Sequence, residues 1–155
     1  MKKYVFISLL ALVAMCFTGC RSEDAPKHKK TIDLEVRSND WMWDKDAEQF
    51  YCHFDVEEIT SDVYNYGEFS LHREYYSGTK DAYQVALPQS QYLWENVEDT
   101  AGVVTTIYYQ QLVDYRVGFG YVEVQVTNSD YTYAEDQQGY LIQPEYMRFR
   151  LQITY

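Results

Sequence analysis

Cys52 and His53 place a thiol and an imidazole in adjacent positions, the residue types of a nucleophile and its general base. Phe50, Phe54 and Val56 alternate with polar residues around them, which predicts a β-strand. Because neighbouring residues on a strand point to opposite faces, the two side chains are expected to diverge and not to form a catalytic dyad. Cys52 is in register with the phenylalanines, so we predict that it is a buried core residue.

Residue types that ligate metals are present, but they lack the spacing of a known site. Two histidines without a carboxylate or thiol in a known ligand spacing are weak evidence for zinc, and neither acidic cluster has the Asp/Asn and Gly pattern of a calcium loop. No Gly-x-Ser-x-Gly, His-Glu-x-x-His, Walker or Cys-x-x-Cys motif occurs. We therefore predict no metal, no cofactor and no enzymatic activity, with an acidic pair in a cleft left open as the enzymatic alternative. The residues considered are His53 and His72, Asp44, Asp46 and Glu48, and Asp130, Glu135 and Asp136.

Aromatic residues are the compositional feature that favours binding, since the chain has 17 tyrosines and 3 tryptophans. Aromatic faces stack on apolar ligand surfaces such as sugar rings, and tyrosine adds rigid amphipathic area to protein interfaces. The alternative is that β-sheets simply favour tyrosine on half-exposed positions. The candidate ligand contacts in predicted loops are Trp41, Trp43, Tyr64, Tyr66, Tyr131 and Tyr133.

The N-terminus contains Lys2 and Lys3, an uncharged apolar run over residues 4–17, and then Gly19 and Cys20. This run is shorter than the roughly 18 apolar residues of a membrane-spanning helix, and it is typical of a secretory signal. Its end resembles the lipobox of bacterial lipoproteins, with Phe17 in the place of the usual branched aliphatic residue. The resemblance implies a signal peptide over residues 1–19 and acylation of Cys20, which would anchor the protein to a membrane. The alternative is an ordinary cysteine after a simple cleavage site.

Residues 20–30 form a polar segment that we interpret as the lipidated cysteine and a flexible tether, with the domain at residues 31–155. Ser22-Glu23-Asp24 resembles the acidic export signal of Bacteroidetes-type surface lipoproteins. That resemblance implies an outer-membrane location facing the cell exterior. A merely solvated spacer is the alternative.

The net charge indicates which partners the protein can bind, and the cysteine count indicates whether a disulfide can stabilise the fold. The chain carries 13 basic and 24 acidic residues, and removal of Lys2 and Lys3 with the signal makes the balance still more acidic. Such a surface repels phosphate backbones, so no nucleic acid partner is expected. Of the three cysteines, Cys16 leaves with the signal and Cys20 takes the lipid. Cys52 is then unpaired, so no internal disulfide is expected.

Alternating apolar and polar residues predict about eight short strands and an all-β fold, a single antiparallel β-sandwich of seven to nine strands. The segment 59–66 is interpreted as irregular, and 89–102 as a connection with one helical turn at Tyr92-Leu93-Trp94. Arg148 or Arg150 of the last strand is predicted to pair with Glu123 of the strand before it. The predicted strands cover residues 31–36, 50–56, 69–76, 83–87, 103–110, 112–117, 121–127 and 147–154.

Four patterns give the domain a resemblance to the immunoglobulin-like lipoproteins of Bacteroidetes. They are Ile59-Thr60-x-x-Val63-x-x-x-Gly67, Ala86-Leu87-Pro88, Gly120-Tyr121-Val122-Glu123-Val124 and Phe149-Arg150-Leu151-Gln152-Ile153. The resemblance implies an immunoglobulin- or fibronectin-III-like sandwich at the cell surface, without an assigned activity.

These features together predict a non-enzymatic outer-membrane lipoprotein that acts as an extracellular binding module, with a glycan or a protein as ligand. A glycan-binding protein would expose two or three clustered aromatic side chains. The alternative function is an adhesin or pilus-type assembly subunit, which would present an unprotected edge strand to a partner.

Overall fold

Nine antiparallel strands make up two sheets in a computed structural model that describes residues 28–98, 101–129 and 143–155. The first sheet has the order β1 (Lys29–Val36), β9 (Met147–Thr154), β4 (Glu68–Tyr75) and β5 (Tyr83–Ala86). The second has the order β2 (Met42–Asp44), β3 (Gln49–Asp55), β8 (Tyr121–Asn128), β7 (Val104–Gly118) and β6 (Gln89–Glu98). The two sheets share one core, which confirms the predicted sandwich and its strand number.

The core lies between the sheets because each central strand has one apolar face. Phe149 and Leu151 of β9 are completely buried, as are Val122 and Val124 of β8. Each side chain of this kind contributes about 1.5–3 kcal/mol when it leaves water. Cys52 of β3 is also buried, beside Phe50, so its predicted inward orientation is confirmed.

The interpretation of residues 89–102 as a connection with a helical turn is wrong, because residues 89–98 form strand β6. β6 pairs along its whole length with β7, from Gln89 opposite Val113 to Glu98 opposite Val104. The two strands predicted at 103–110 and 112–117 are likewise one continuous strand, β7. The inner face of β6 includes the polar Gln91 and its outer face carries the exposed Tyr92 and Trp94, so β6 lacks the alternation of buried apolar and exposed polar residues that indicates a strand.

A short helix, α1 (Ser61–Tyr66), occupies the segment that the sequence indicated only as irregular. The Thr60 side chain caps it by accepting a hydrogen bond from the Val63 N–H at 3.4 Å. Gly67 closes it by donating its N–H to the Val63 carbonyl, which a Cβ at Gly67 would strike. Six residues are too few to show a helical period. Among the described residues, no helix has the length and apolarity needed to cross a bilayer.

The predicted pairing of Arg148 or Arg150 with Glu123 is wrong, because β8 and β9 belong to different sheets. Arg150 instead lies 2.8 Å from Asp33 of β1 and 3.2 Å from Glu74 of β4. Its hydrogen bond lowers the pKa of Asp33. Arg148 lies 3.2 Å from Glu35 of β1. The outer face of the first sheet therefore carries a charge ladder across β1, β9 and β4.

The first strand begins two residues before the predicted domain boundary at Thr31. Lys29 and Lys30, assigned to the tether from sequence, pair with Thr154 and Ile153 of β9. The pairing continues to His28, whose carbonyl accepts a hydrogen bond from the Tyr155 N–H at 3.0 Å. Backbone pairing with β9 thus orders residues whose polar side chains suggested a flexible segment.

Candidate binding cleft and aromatic strip

The inner faces of the two sheets change from apolar to polar at one end of the sandwich. On β7, buried Val113 is followed two positions away by buried Gln111, and on β4 buried Leu71 is followed by Arg73. Residues two apart on a strand share a face, so Gln111 and Arg73 stand where the alternation would place core residues. A cleft of about 400 Å³ opens between them, and Gln91 and Asn128 also line it.

Side-chain amides form the floor of this cleft in a chain of hydrogen bonds. The Gln91 amide donates to the Gln111 carbonyl oxygen at 3.0 Å, and the Gln111 amide donates to Asn128 at 3.3 Å. Tyr75 of the first sheet donates its hydroxyl to Gln89 of the second at 2.9 Å. These bonds hold the amides in fixed orientations, and each amide has further donor and acceptor capacity for a ligand.

Arg73 brings a positive charge to the same cleft. Its guanidinium lies 4.6 Å from the centre of the Tyr75 ring, a cation–π contact that helps to orient it. Burial lowers the pKa of Arg73, because the charged form loses hydration. Among the described residues, none provides a hydrogen-bond partner for its buried Nη1 atom. The cleft therefore contains a partly desolvated cation that the described residues satisfy only in part.

Three exposed aromatic residues lie on the opposite, outer face of the β6–β7 ribbon. Tyr92 is 82% exposed, Trp94 66% and Tyr108 75%. Trp94 is directly opposite Tyr108 across the two strands, and Tyr92 is opposite Gln110. Directly opposed residues have Cβ atoms about 4.5–5.5 Å apart, so these three side chains are neighbours on one face, and the group is here named the aromatic strip. Trp94 also lines the cleft.

Two of the six predicted ligand contacts, Trp41 and Trp43, pack against the core. Trp41 is only 3% exposed, and its indole N–H donates to the Glu145 carbonyl at 3.4 Å. Trp43 is half-buried and packs on Phe50, with ring centres 4.8 Å apart. Trp41 is thus a core residue and not a surface residue in a loop, and Trp43 contributes part of its apolar area to the core.

The remaining candidates have different positions. Tyr64 and Tyr66 are exposed on α1, away from β6 and β7 in the sequence. Tyr131, Tyr133 and Cys20 lie outside the described residues. Tyr92, Trp94 and Tyr108 of the aromatic strip are all absent from the six predicted contacts, although the two-residue spacing of Tyr92 and Trp94 is the signal that could have indicated a shared face.

Cys52 and His53 diverge, as the strand period predicts. Burial raises the pKa of the Cys52 thiol to about 11, so the thiolate needed for nucleophilic attack is disfavoured. His53 is on the outer face, where its ring stacks on Tyr121 with centres 4.7 Å apart. The two side chains therefore cannot act as a nucleophile and its base.

The metal-ligating residue types do not converge in the part of the chain that the structure describes. No group of three or more His, Cys, Asp or Glu side chains there could hold an ion. His53 and His72 lie on β3 and β4, in different sheets. Asp44 instead stabilises a turn, since its Oδ1 accepts hydrogen bonds from the N–H groups of Asp46 and Ala47 at 3.0 and 3.1 Å. Asp130, Glu135 and Asp136 lie outside the described residues.

Comparison with known proteins adds no further constraint on the ligand. No protein-family model, no curated protein and no solved structure matches this chain. What the cleft and the aromatic strip could bind is therefore inferred from their residues and geometry alone.

Proposed function

We propose that this protein is a non-enzymatic, lipid-anchored module at the outer surface of a bacterial cell, where it binds glycans through the aromatic strip. The observation that carries the proposal is the exposure of Tyr92, Trp94 and Tyr108 on one face of one ribbon. Large aromatic side chains seldom remain in water as a group unless the surface they form is used for binding.

The shape of the strip suits a sugar chain. Residues two apart on a strand are separated by roughly 6.5–7 Å, so Tyr92 and Trp94 offer two successive faces along β6. Trp94 and Tyr108 widen that surface across the ribbon. A flat aromatic surface stacks on the apolar face of a sugar ring, and neighbouring polar groups such as Gln110 and Ser90 supply hydrogen bonds to its hydroxyls.

The proposed location rests on the N-terminal sequence. Acylation of Cys20 would anchor the chain, and Ser22-Glu23-Asp24 would direct it to the cell exterior. A single acyl chain binds a membrane reversibly, whereas two or more anchor it firmly. The net charge of −11 favours a domain that stands away from anionic surfaces and from nucleic acids.

The test is affinity electrophoresis of the purified protein in gels that each contain one polysaccharide, namely starch, xylan, laminarin, pectin or mucin. We expect retardation in at least one gel, and a roughly three- to tenfold weaker affinity for Trp94→Ala and for Tyr108→Ala. Tyr66→Ala is the matched control, because Tyr66 is 84% exposed and lies outside the strip. Unretarded migration in every gel, or equal loss in the control, would contradict the proposal.

A second candidate function is the assembly role, which is favoured by one specific observation. β6 is ten residues long and is the edge strand of its sheet, with no described strand on its far side. Such an edge can accept a strand from a partner. Added strand pairing would slow hydrogen exchange of the β6 amides in a concentration-dependent way, whereas glycan binding to the strip alone would not make exchange depend on protein concentration.

A further inference from the structure

Arg73 lies on the inner face of β4, at a type of position that apolar residues occupy in the rest of the core. On the inner face of β4 it follows Phe69 and Leu71 at two-residue intervals, and it is opposite buried Phe149 of β9. The same register puts its backbone opposite Val85 of β5. An arginine between such neighbours costs stability unless a partner satisfies its charge.

The described residues satisfy the charge of Arg73 only in part. The Tyr75 ring lies on one side of the guanidinium, but Nη1 has no hydrogen-bond partner in the described part of the chain. Glu145 also lines the cleft, and its charge acts on Arg73 only as a through-space interaction. No described carboxylate forms an ion pair with Arg73, whereas Arg116, Arg148 and Arg150 all have one.

The surroundings of Arg73 define the chemistry of its missing partner. A planar guanidinium matches a carboxylate, which it can bind through two parallel hydrogen bonds. The presence of Glu145 disfavours a doubly charged group such as a phosphate, because like charges repel. The amides of Gln91, Gln111 and Asn128 offer donors and acceptors for hydroxyl groups. A volume of about 400 Å³ is within the range of small-ligand sites.

We propose that the cleft binds a sugar acid, with its carboxylate at Arg73 and its hydroxyls on the amide chain. This site is on the inner face of the ribbon, and the aromatic strip is on the outer face. Trp94 belongs to the strip and also lines the cleft, so Tyr108, which does not line the cleft, is the residue that separates the two proposals. The ligand is either a free sugar acid or an acidic residue within a polysaccharide, since both present the same carboxylate and hydroxyl groups.

The experiment is calorimetric titration of the purified protein with galacturonate and with glucuronate. Galactose and glucose, which have the same hydroxyl arrangement without the carboxylate, are the matched neutral ligands. Titration with polygalacturonate distinguishes a free sugar acid from an acidic residue within a polysaccharide. A site for the free acid would bind the monomer at least as tightly as the polymer, with affinity expressed per sugar residue. We expect binding of one acid that weakens with added salt, and at least tenfold weaker binding of its neutral counterpart.

Arg73→Met tests the residue itself. We expect at least tenfold weaker binding of the acid together with an unchanged or higher melting temperature, because a half-buried, partly satisfied charge is replaced by an apolar side chain of similar length. Arg73→Lys keeps the charge but loses the planar fork, so an intermediate affinity is expected. It also serves as the test if the methionine variant does not fold. Tyr108→Ala should leave acid binding unchanged while it weakens binding at the strip.

Three results would overturn the proposal. They are an absence of binding for both acids, equal binding of the neutral sugars, and unchanged acid binding in both Arg73 variants. None of these results bears on retardation by the neutral polysaccharides starch and laminarin, which have no carboxylate for Arg73.

Discussion

The guanidinium of Arg116 on β7 lies 2.9 and 3.0 Å from the two carboxylate oxygens of Glu123 on β8. The Glu123 side chain is only 5% exposed although it is on the outer face of its sheet. Gln125 covers it as well, donating its amide at 3.0 Å. Glu123 is therefore a nearly buried carboxylate whose charge is balanced by a largely exposed arginine.

This arrangement predicts that substitution of Arg116 and substitution of Glu123 lower the free energy of unfolding by different amounts. Arg116→Met should lower the free energy of unfolding by about 1–3 kcal/mol, because it leaves a desolvated carboxylate without its cation. Glu123→Gln should cost less than about 1 kcal/mol, since an amide oxygen still accepts from Arg116, and the charge left without a counter-ion is that of Arg116, whose side chain is 61% exposed to water. Urea unfolding of both variants measures the difference. A larger loss for Glu123→Gln would mean that the carboxylate is not shielded as described.

Cys52 should react slowly with thiol reagents in the folded protein and rapidly after denaturation, because it is 7% exposed. In the acylated protein it is the single free thiol, so labelling reports on this position alone. Cys52→Ala should cost on the order of 1 kcal/mol, and Cys52→Asp considerably more, because an inward carboxylate would have no partner. Rapid labelling of the native protein would contradict the assigned orientation of β3.

The same thiol gives a pH dependence with a definite sign. Burial raises the pKa of Cys52 from 9.0 to about 11, so above pH 9 the unfolded chain loses this proton first. The contribution of the neutral thiol to stability is thus complete below pH 9 and is lost progressively between pH 9 and 11. The difference in unfolding free energy between the wild type and Cys52→Ala should therefore shrink over that window. A constant difference from pH 8 to 11 would argue against the raised pKa.

Acylation of Cys20 predicts that Cys20→Ser abolishes incorporation of labelled fatty acid and yields a precursor or a released form. The physical reason is that serine has no thiol to carry the thioether-linked lipid. Metabolic labelling followed by membrane fractionation measures both effects, with Cys52→Ser as the control that should keep its label. Label that persists in Cys20→Ser would show that the anchor lies elsewhere.

Surface display is a separate prediction that depends on Ser22-Glu23-Asp24. Replacement of these three residues by alanine should remove access of antibody or protease in intact cells, while the amount of acylated protein stays the same. Flow cytometry of intact and permeabilised cells distinguishes export from expression. Unchanged access in intact cells would show that the acidic residues are only a spacer.

The parts of the fold that could be predicted are those in which one strand face is apolar. Phe149, Leu151 and Ile153 of β9 alternate with polar residues, and so do Val122, Val124 and Val126 of β8. Such a pattern indicates both the strand and the side that it buries, because side chains alternate with a period of two. Strand β6 was not predicted because its inner face lines a polar cleft and its outer face carries exposed rings.

For the candidate sites, the sequence predicted which residue types are involved but not which individual residues are exposed. The abundance of tyrosine and tryptophan indicated a binding surface, but it did not distinguish buried Trp41 from exposed Trp94. That distinction depends on which strands lie nearby, and local sequence does not contain it. Arg73 gave no signal at all, because an arginine within an alternating strand is normally assigned to the solvent face.

The amino-acid sequence by itself determined the all-β class, the inward face of most strands and the acidic character of the chain, since each depends on local alternation or on composition. Only the tertiary structure decided which strands are neighbours. In that structure β8 and β9 belong to different sheets. Arg148 and Arg150 therefore form ion pairs with carboxylates of β1 and β4, and Glu123 forms its ion pair with Arg116. The physical reason is that hydrogen bonds between strands join residues distant in sequence, and a period of two specifies a face but not a partner.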